Sequence, residues 1–242
     1  MRRSRREKRT DWRLGGRTVL RWNERLLAIA LVGLGLGIVA GFALQFFLGG
    51  SGGSVLPSAL ATIALWLGMA VPIVLALRRS VPIGLLRFRA IDLLWGVALG
   101  LAVRGLQGVV SGSAVPSYPT ADGQLSSAWL LTDLVGPVVI APVVEEFFFR
   151  VVVLVAIYSL LRRALGGLAA GIIALLASTG LFVLAHAAGG VADASAVVAL
   201  FALGTTCGLL VLLTGRIWSA VLAHLVFNGA YVVLALIGTF WG

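Results

Sequence analysis

The stretch Ala141-Pro-Val-Val-Glu-Glu-Phe-Phe-Phe-Arg150 sets two adjacent carboxylates and an arginine inside an apolar run. Residues 135–140 before it and 151–161 after it are nearly all hydrophobic. An ionised group in hydrocarbon is costly, roughly 2.5–3.5 kcal/mol per Asp, Lys or Arg on insertion scales. Three such groups in one span therefore mark a buried site that faces other helices rather than lipid. Glu146 and Arg150 are four apart, share a helix face and can pair. Glu145 lies about 100° round the helix, which leaves its carboxylate free for chemistry. The plainer alternative is that the three charges only lock helices together or line an ion path.

The rest of the chain fits a membrane setting. Of 242 residues, 60% are hydrophobic and 12% charged, about half the usual charged share of roughly 25%. Mean hydropathy is +1.06. The apolar runs are long and continuous, which excludes the alternating segments of about ten residues of a barrel. The class expected is an all-α polytopic membrane protein, with about seven transmembrane helices enclosing a polar intramembrane cavity. Net charge is +10, and Arg2, Arg3, Arg5, Arg6, Lys8, Arg9, Arg13, Arg17, Arg21 and Arg25 precede the first apolar run. This reads as a basic cytoplasmic tail at 1–25, with an interfacial helix around 12–22, and not as a nucleic-acid arm. The apolar run after it exceeds the roughly 7–15 residues of a signal-peptide core. The single Cys207 excludes an internal disulfide or a multi-cysteine zinc site, and is expected only to pack.

The transmembrane domain at 26–242 divides into spans at about 26–48, 55–77, 91–110, 137–161, 168–188, 197–214 and 217–241. Gly33, Gly37 and Gly41 recur every four residues on the first span, a pattern suited to close helix packing. Gly49–Ser54 reads as a flexible turn. Pro57 lies in the first turn of span two and Pro72 is a kink point within it. Asp92 stands at the entry of span three. Arg104 lies inside that span and either snorkels outward or pairs with a carboxylate of span four. Residues 129–134, with Asp133, read as an interfacial turn, and span four is expected to start near Pro137. Loops with Arg78, Arg79, Arg87, Arg89, Arg162, Arg163 and Arg216 fall on one side. The loops at 111–127 and 189–196 lack Lys and Arg and fall on the other. The N-terminus is accordingly expected in the cytoplasm and the C-terminus outside.

Only two histidines occur, His186 and His224. His186 follows Phe182 by four residues, so the ring can pack beside the imidazole. His224 precedes Asn228 by four, so the two polar groups share a face. Singly, each histidine is more readily a core residue than a catalyst. Together with Glu145 and Glu146 they give three spans an inward polar stripe.

Glu-Glu-x-x-x-Arg, then Phe-x-x-x-His, then His-x-x-x-Asn, on separate spans and in that order, resembles the CPBP family. This is the family of type II CAAX prenyl endopeptidases and bacterial Abi (bacteriocin-immunity-like) membrane proteins. The resemblance covers about 91–240 and shows no departure at the defining positions. It implies an intramembrane endopeptidase. By motif, Glu145 would be the general base, with Glu146 and Arg150 completing the first motif. His186 would help bind the water, and His224 and Asn228 would stabilise the oxyanion.

Peptide hydrolysis needs a base for water and a donor for the developing oxyanion, and these residue types supply both. Glu145, His186 and His224 also make up the ligand set of a zinc site with an open position. The absence of His-Glu-x-x-His counts against a zincin-like arrangement, and the metal-free reading is favoured. Simple spans put His186 near the outer end of span five and His224 about a third of the way into span seven from the other side. That is a depth difference of more than about 10 Å at about 1.5 Å per residue, unless the helices tilt and break around a cavity. The expectation is that Glu145, His186, His224 and Asn228 converge in one polar chamber. The competing functions are an ion-coupled carrier, for which no duplicated half is visible, and a non-catalytic scaffold or immunity protein. Lys8 is the only lysine against many arginines, which points to a GC-rich, bacterial source. The substrate expected is a membrane-associated peptide or protein other than a prenylated one.

Overall fold

The computed structural model describes residues 11–14, 19, 21–49, 55–112, 115–190 and 193–242. The arginines at 2–9, Arg17 and the Gly-Ser turn at 50–54 lie outside the described residues. The described part is helical, with an isolated bridge between Ala121 and Gln124 as its only β-pairing. The helices are α1 (Glu24–Leu48), α2 (Leu56–Arg79), α3 (Ile91–Ser111), a long helical stretch Leu130–Ala188, α6 (Ala194–Thr214) and α7 (Trp218–Trp241). All six stretches are long and apolar enough to cross a membrane.

The long stretch has 59 residues and would reach about 88 Å if straight, far beyond a hydrocarbon core of about 30 Å. It is broken at Gly166, whose φ of 77° and ψ of 169° are non-helical; a residue with a Cβ rarely adopts that φ. Residues 130–165 (α4) and 167–188 (α5) are therefore separate legs. Gly167 and Gly171 lie against Tyr158, Ser178 Oγ donates to Phe149 O at 2.8 Å, and His186 faces Glu145. From Tyr158 with Gly171, through Phe149 with Ser178, to Glu145 with His186, the partners lie progressively farther from the break on both sides, so α4 and α5 form an antiparallel hairpin. The described residues thus form seven helical legs.

Glycine faces set the other pairings. A Cβ on Gly33 would come 2.5 Å from Gly68 O, and one on Gly68 would come 2.4 Å from Gly33 O. Gly37 lies against Ala64 and Leu65, and Gly41 against Ala61, so α1 and α2 pack antiparallel with their backbones nearly touching. The glycine repeat read from the sequence is this contact. Gly68→Val is expected to destabilise the fold by about 1–3 kcal/mol through overpacking, read as a lower thermal midpoint in detergent. An unchanged midpoint would mean that the hairpin is not this close. Gly96 and Gly100 of α3 lie against residues 219–226 of α7 in increasing order, so those two helices run parallel. At their shared start, Asp92 is fully buried. Arg216 Nη2 reaches Asp92 Oδ1 at 2.6 Å, and Ser219 Oγ donates to the same oxygen at 2.7 Å.

That end of the bundle is also where the N-terminal segment docks. A short 3-10 turn, Trp12–Leu14, stands where an interfacial helix was expected. Trp12, Val19 and Trp22 are buried. Trp12 Nε1 donates to Gly215 O at 3.2 Å, and Trp22 Nε1 to Ala76 O at 3.0 Å. Tyr158 OH donates to Arg13 O at 3.2 Å, and Arg13 Nη1 donates to Leu212 O at 3.2 Å and to Leu213 O. A cation satisfying the last carbonyls of α6 is favoured by the helix dipole. Cys207 is buried and contacts Ala220 O at 3.6 Å, a packing role as expected.

Two expectations about the spans need correction. The fourth span does not start near Pro137, and 130–134 is not an interfacial turn: the helix runs from Leu130. It passes Pro137 because its turns are widened there, Ala141 N–H bonding to Gly136 O five residues back. Arg104 neither snorkels nor finds a carboxylate. It stacks on Phe227, 3.8 Å from the ring centre, and its Nε and Nη2 donate to Phe227 O at 2.9 and 2.7 Å.

Candidate active site

The six residues at Ala141–Glu146 are ordinary α-helix, while 130–140 and 147–154 on either side are widened turns. Such turns recur where a helix must aim side chains at a site. Glu146 and Arg150 are both fully buried, with Oε1 and Nη1 3.0 Å apart. Their alignment is off the hydrogen-bond line, so this is a charge contact. Arg150 Nη2 donates to Gly204 O at 3.2 Å. A Cβ on Gly204 would stand 3.3 Å from that nitrogen and 3.0 Å from Thr179 Cγ2, so glycine leaves the guanidinium its room. The Phe182 ring covers the guanidinium at 4.6 Å.

Each histidine is held through Nδ1. His224 Nδ1 lies 3.0 Å from Glu146 Oε1, and His186 Nδ1 lies 2.9 Å from Phe182 O. Both partners are acceptors, so each Nδ1 carries a proton and each ring turns its Nε2 inward. Both Nε2 atoms face one oxygen: Glu145 Oε2 is 3.7 Å from His186 Nε2 and 3.9 Å from His224 Nε2. That oxygen has no hydrogen-bond partner among the described residues. Phe182 packs 4.4 Å from the His186 ring and 5.7 Å from the His224 ring, so one side chain supports both imidazoles and the arginine.

The depth difference expected from simple spans is absent, and the hairpin explains why. Tyr158 lies level with the turn at Gly215, since both bond the same N-terminal segment. The tip of α4–α5 beyond Tyr158 therefore extends past that turn. His186 is twenty residues above Gly166 but is no higher than Glu145, its antiparallel partner.

Asn228 is half-buried, and its Nδ2 donates to Pro137 O at 2.8 Å. The reason lies in α4. With widened turns, Pro137 O should receive the N–H of residue 142, but that residue is a proline and has none. Ala141 N–H is already bonded to Gly136 O. Two prolines five apart thus free one carbonyl, and Asn228 takes it. Amide geometry at Asn228 is set by this bond, and its second N–H and carbonyl remain available.

Glu145, His186, His224 and Asn228 line one cavity of about 740 Å3 between α2, α4, α5 and α7. The walls are not polar as expected. Most are apolar, including Ile63, Leu65, Trp66, Met69, Leu131 and Ile140. The cavity's polar side chains are Glu145, His186, His224 and Asn228, with the hydroxyls of Ser58, Thr62 and Thr132 besides. The arrangement offers an acceptor-rich point beside a large apolar trench.

Two imidazole nitrogens and a carboxylate oxygen are the donor types of hydrolytic zinc sites. The edges of a tetrahedral zinc site with bonds of about 2.0–2.1 Å are about 3.3 Å, and the spacings of 3.7 and 3.9 Å are longer. Among the described residues no group of three or more such ligands is placed to hold a metal ion. The residues as arranged are spaced too widely to fit the metal. Sequence reasoning missed Gly204, and missed Pro137 and Pro142 as partners of Asn228. The proline spacing was visible, but its meaning needed the widened turn.

Residues 127–230 match the family model described as type II CAAX prenyl endopeptidase, Rce1-like. Comparison with curated proteins and with solved structures gives no match.

Proposed function

We propose, from the match of residues 127–230 to the Rce1-like type II CAAX prenyl endopeptidase family model, that this multi-pass membrane protein hydrolyses a peptide bond of a membrane-associated protein or peptide with water activated by Glu145. The observation that carries the reading is the convergence of two Nε2 atoms on Glu145 Oε2 at 3.7 and 3.9 Å. These spacings are too long for direct hydrogen bonds and suit a bridging water.

In this reading the water oxygen attacks the scissile carbonyl carbon while Glu145 takes its proton. The water's second O–H donates to the Nε2 of one of the two histidines, which aims the oxygen. The free N–H of Asn228 donates to the developing oxyanion, and a low-dielectric wall strengthens that bond. Glu146 stands behind His224 as a buried aspartate stands behind the histidine of a triad. It accepts from the Nδ1–H and fixes the ring's orientation. Arg150 lies 3.0 Å from the same carboxylate and offsets its charge. The tetrahedral carbon collapses, the C–N bond breaks, and Glu145 returns its proton to the leaving amine. The apolar trench takes the membrane-embedded part of the substrate.

The arginines of the 78–89 loop, the hairpin tip and Arg216 gather with the N-terminal segment at one end of the bundle. We assign that end to the cytoplasm and the protein to the cytoplasmic membrane. Comparative membrane proteomics of cells carrying wild type or Glu145→Gln tests the reading. A membrane protein should accumulate uncut with the variant, and identical proteomes would oppose it. Chelation supplies a second measurement. Activity of the purified chain is expected to survive 1,10-phenanthroline, whereas loss of activity restored by zinc would move Glu145, His186 and His224 to a metal role.

A further inference from the structure

A second cavity, of about 290 Å3, adjoins the first. Pro137, His186, Leu200 and Asn228 line both, so the two chambers meet at the candidate catalytic residues. The second lies toward the end of the bundle that carries no basic loop, between α3, α4, α6 and α7. Its walls include Arg104, Gln107, Tyr118, Asp133 and Tyr231.

Arg104 is the cation of this chamber. One side of its guanidinium is spent on Phe227 O, and Nη1 donates to Gln107 Oε1. Among the described residues no carboxylate pairs with it. Its remaining N–H groups have the fork that matches a carboxylate. A half-buried guanidinium in a membrane helix, stacked on Phe227 and Tyr231, is an unusual fixture unless it serves a ligand. Asp133, on the α4 wall, accepts from Thr132 Oγ1 at 2.6 Å. It repels an anion there and so confines one to the Arg104 side.

A peptide crossing the site places one flank in the large apolar trench and the other in this small chamber. A cavity of this size sits at the lower limit of ligand-binding pockets, roughly 300 Å3. It holds only a short piece of chain.

We propose that the Arg104 chamber receives the short segment on the leaving side of the cleaved bond and binds its carboxylate. The proposal rests on the reading of the first cavity as a peptidase site. The carboxylate is the chain terminus or an acidic side chain near it, and the test separates the two.

The probes are two short peptides with one S-farnesyl cysteine, identical except for a C-terminal acid or carboxamide, neither carrying Asp or Glu. Cleavage by the full chain in nanodiscs is followed by fluorescence dequenching. Binding is measured separately with Glu145→Gln protein, so that it does not depend on turnover. Wild type is expected to favour the acid by about tenfold or more, the worth of one charge-assisted hydrogen bond, mainly in KM. Arg104→Gln should erase that preference by weakening the acid peptide alone, and Arg104→Lys should restore part of it. If only a third peptide, amidated but carrying a penultimate Asp, shows the Arg104-dependent gain, the ligand is a side-chain carboxylate. Equal handling of acid, amide and Asp peptides by wild type overturns the proposal. So does a preference that survives Arg104→Gln, or an equal loss on all peptides. Arg104-dependent binding without cleavage by wild type would keep the chamber and reject the peptidase reading.

Discussion

Glu145→Gln is expected to lower peptide hydrolysis by about 10²–10⁴-fold, the usual worth of a positioned general base, while leaving the fold intact. Glutamine has nearly the shape of glutamate but cannot take a proton from water. The fold should tolerate it because Glu145 holds nothing together: Glu146, not Glu145, contacts Arg150, and Oε2 of Glu145 has no hydrogen-bond partner among the described residues. Cleavage of a quenched membrane-anchored peptide gives the rate, and thermal unfolding in the same nanodiscs gives the stability. A variant that keeps wild-type turnover removes Glu145 from the chemistry. A variant that loses turnover only because it unfolds would show the carboxylate to be structural.

Arg150→Met should cost stability on the scale of about 3–5 kcal/mol, since removing one partner leaves a buried charge uncompensated. Glu146 is fully buried, and without Arg150 its carboxylate keeps only the His224 ring and the Cys207 thiol beside it among the described residues. The cost belongs to the orphaned charge rather than to the attraction, so Glu146→Gln combined with Arg150→Met should be milder than Arg150→Met alone. A double-mutant cycle of denaturation midpoints measures this. A single variant within about 1 kcal/mol of wild type would contradict burial of the pair. Activity should fall in both cases: the double variant removes the carboxylate that orients His224, and the single variant removes the cation that fixes that carboxylate.

Much of this was legible in one dimension. The pairing of Glu146 with Arg150 follows from four-residue spacing on a helix. The inward stripe of His186 and His224 follows from polar groups surviving in apolar runs. Gly33, Gly37 and Gly41 announced a close contact, but not that Gly68 of α2 would meet it. The misreadings share a cause. Pro137 was taken as a helix start because proline usually sits in a first turn, whereas widened turns let it stay inside. Arg104 was expected to reach a carboxylate or the surface, whereas the aromatic rings and a carbonyl of α7 lay within its reach. The chamber was expected to be polar because its visible residues were, whereas its walls come from α2, whose apolar side chains gave no sign of facing the site.

The amino-acid order alone determined which segments enter the bilayer and which residues face inward, because transfer energy and helical phase are local sums along the chain. The three-dimensional packing decided how far each helix runs before it turns, and hence which residues stand at equal depth. Gly166 lets α4 and α5 overrun the turn at Gly215, and only that overrun brings His186 level with His224. Such levels depend on lateral contacts between helices distant in sequence, and no window along the chain contains them.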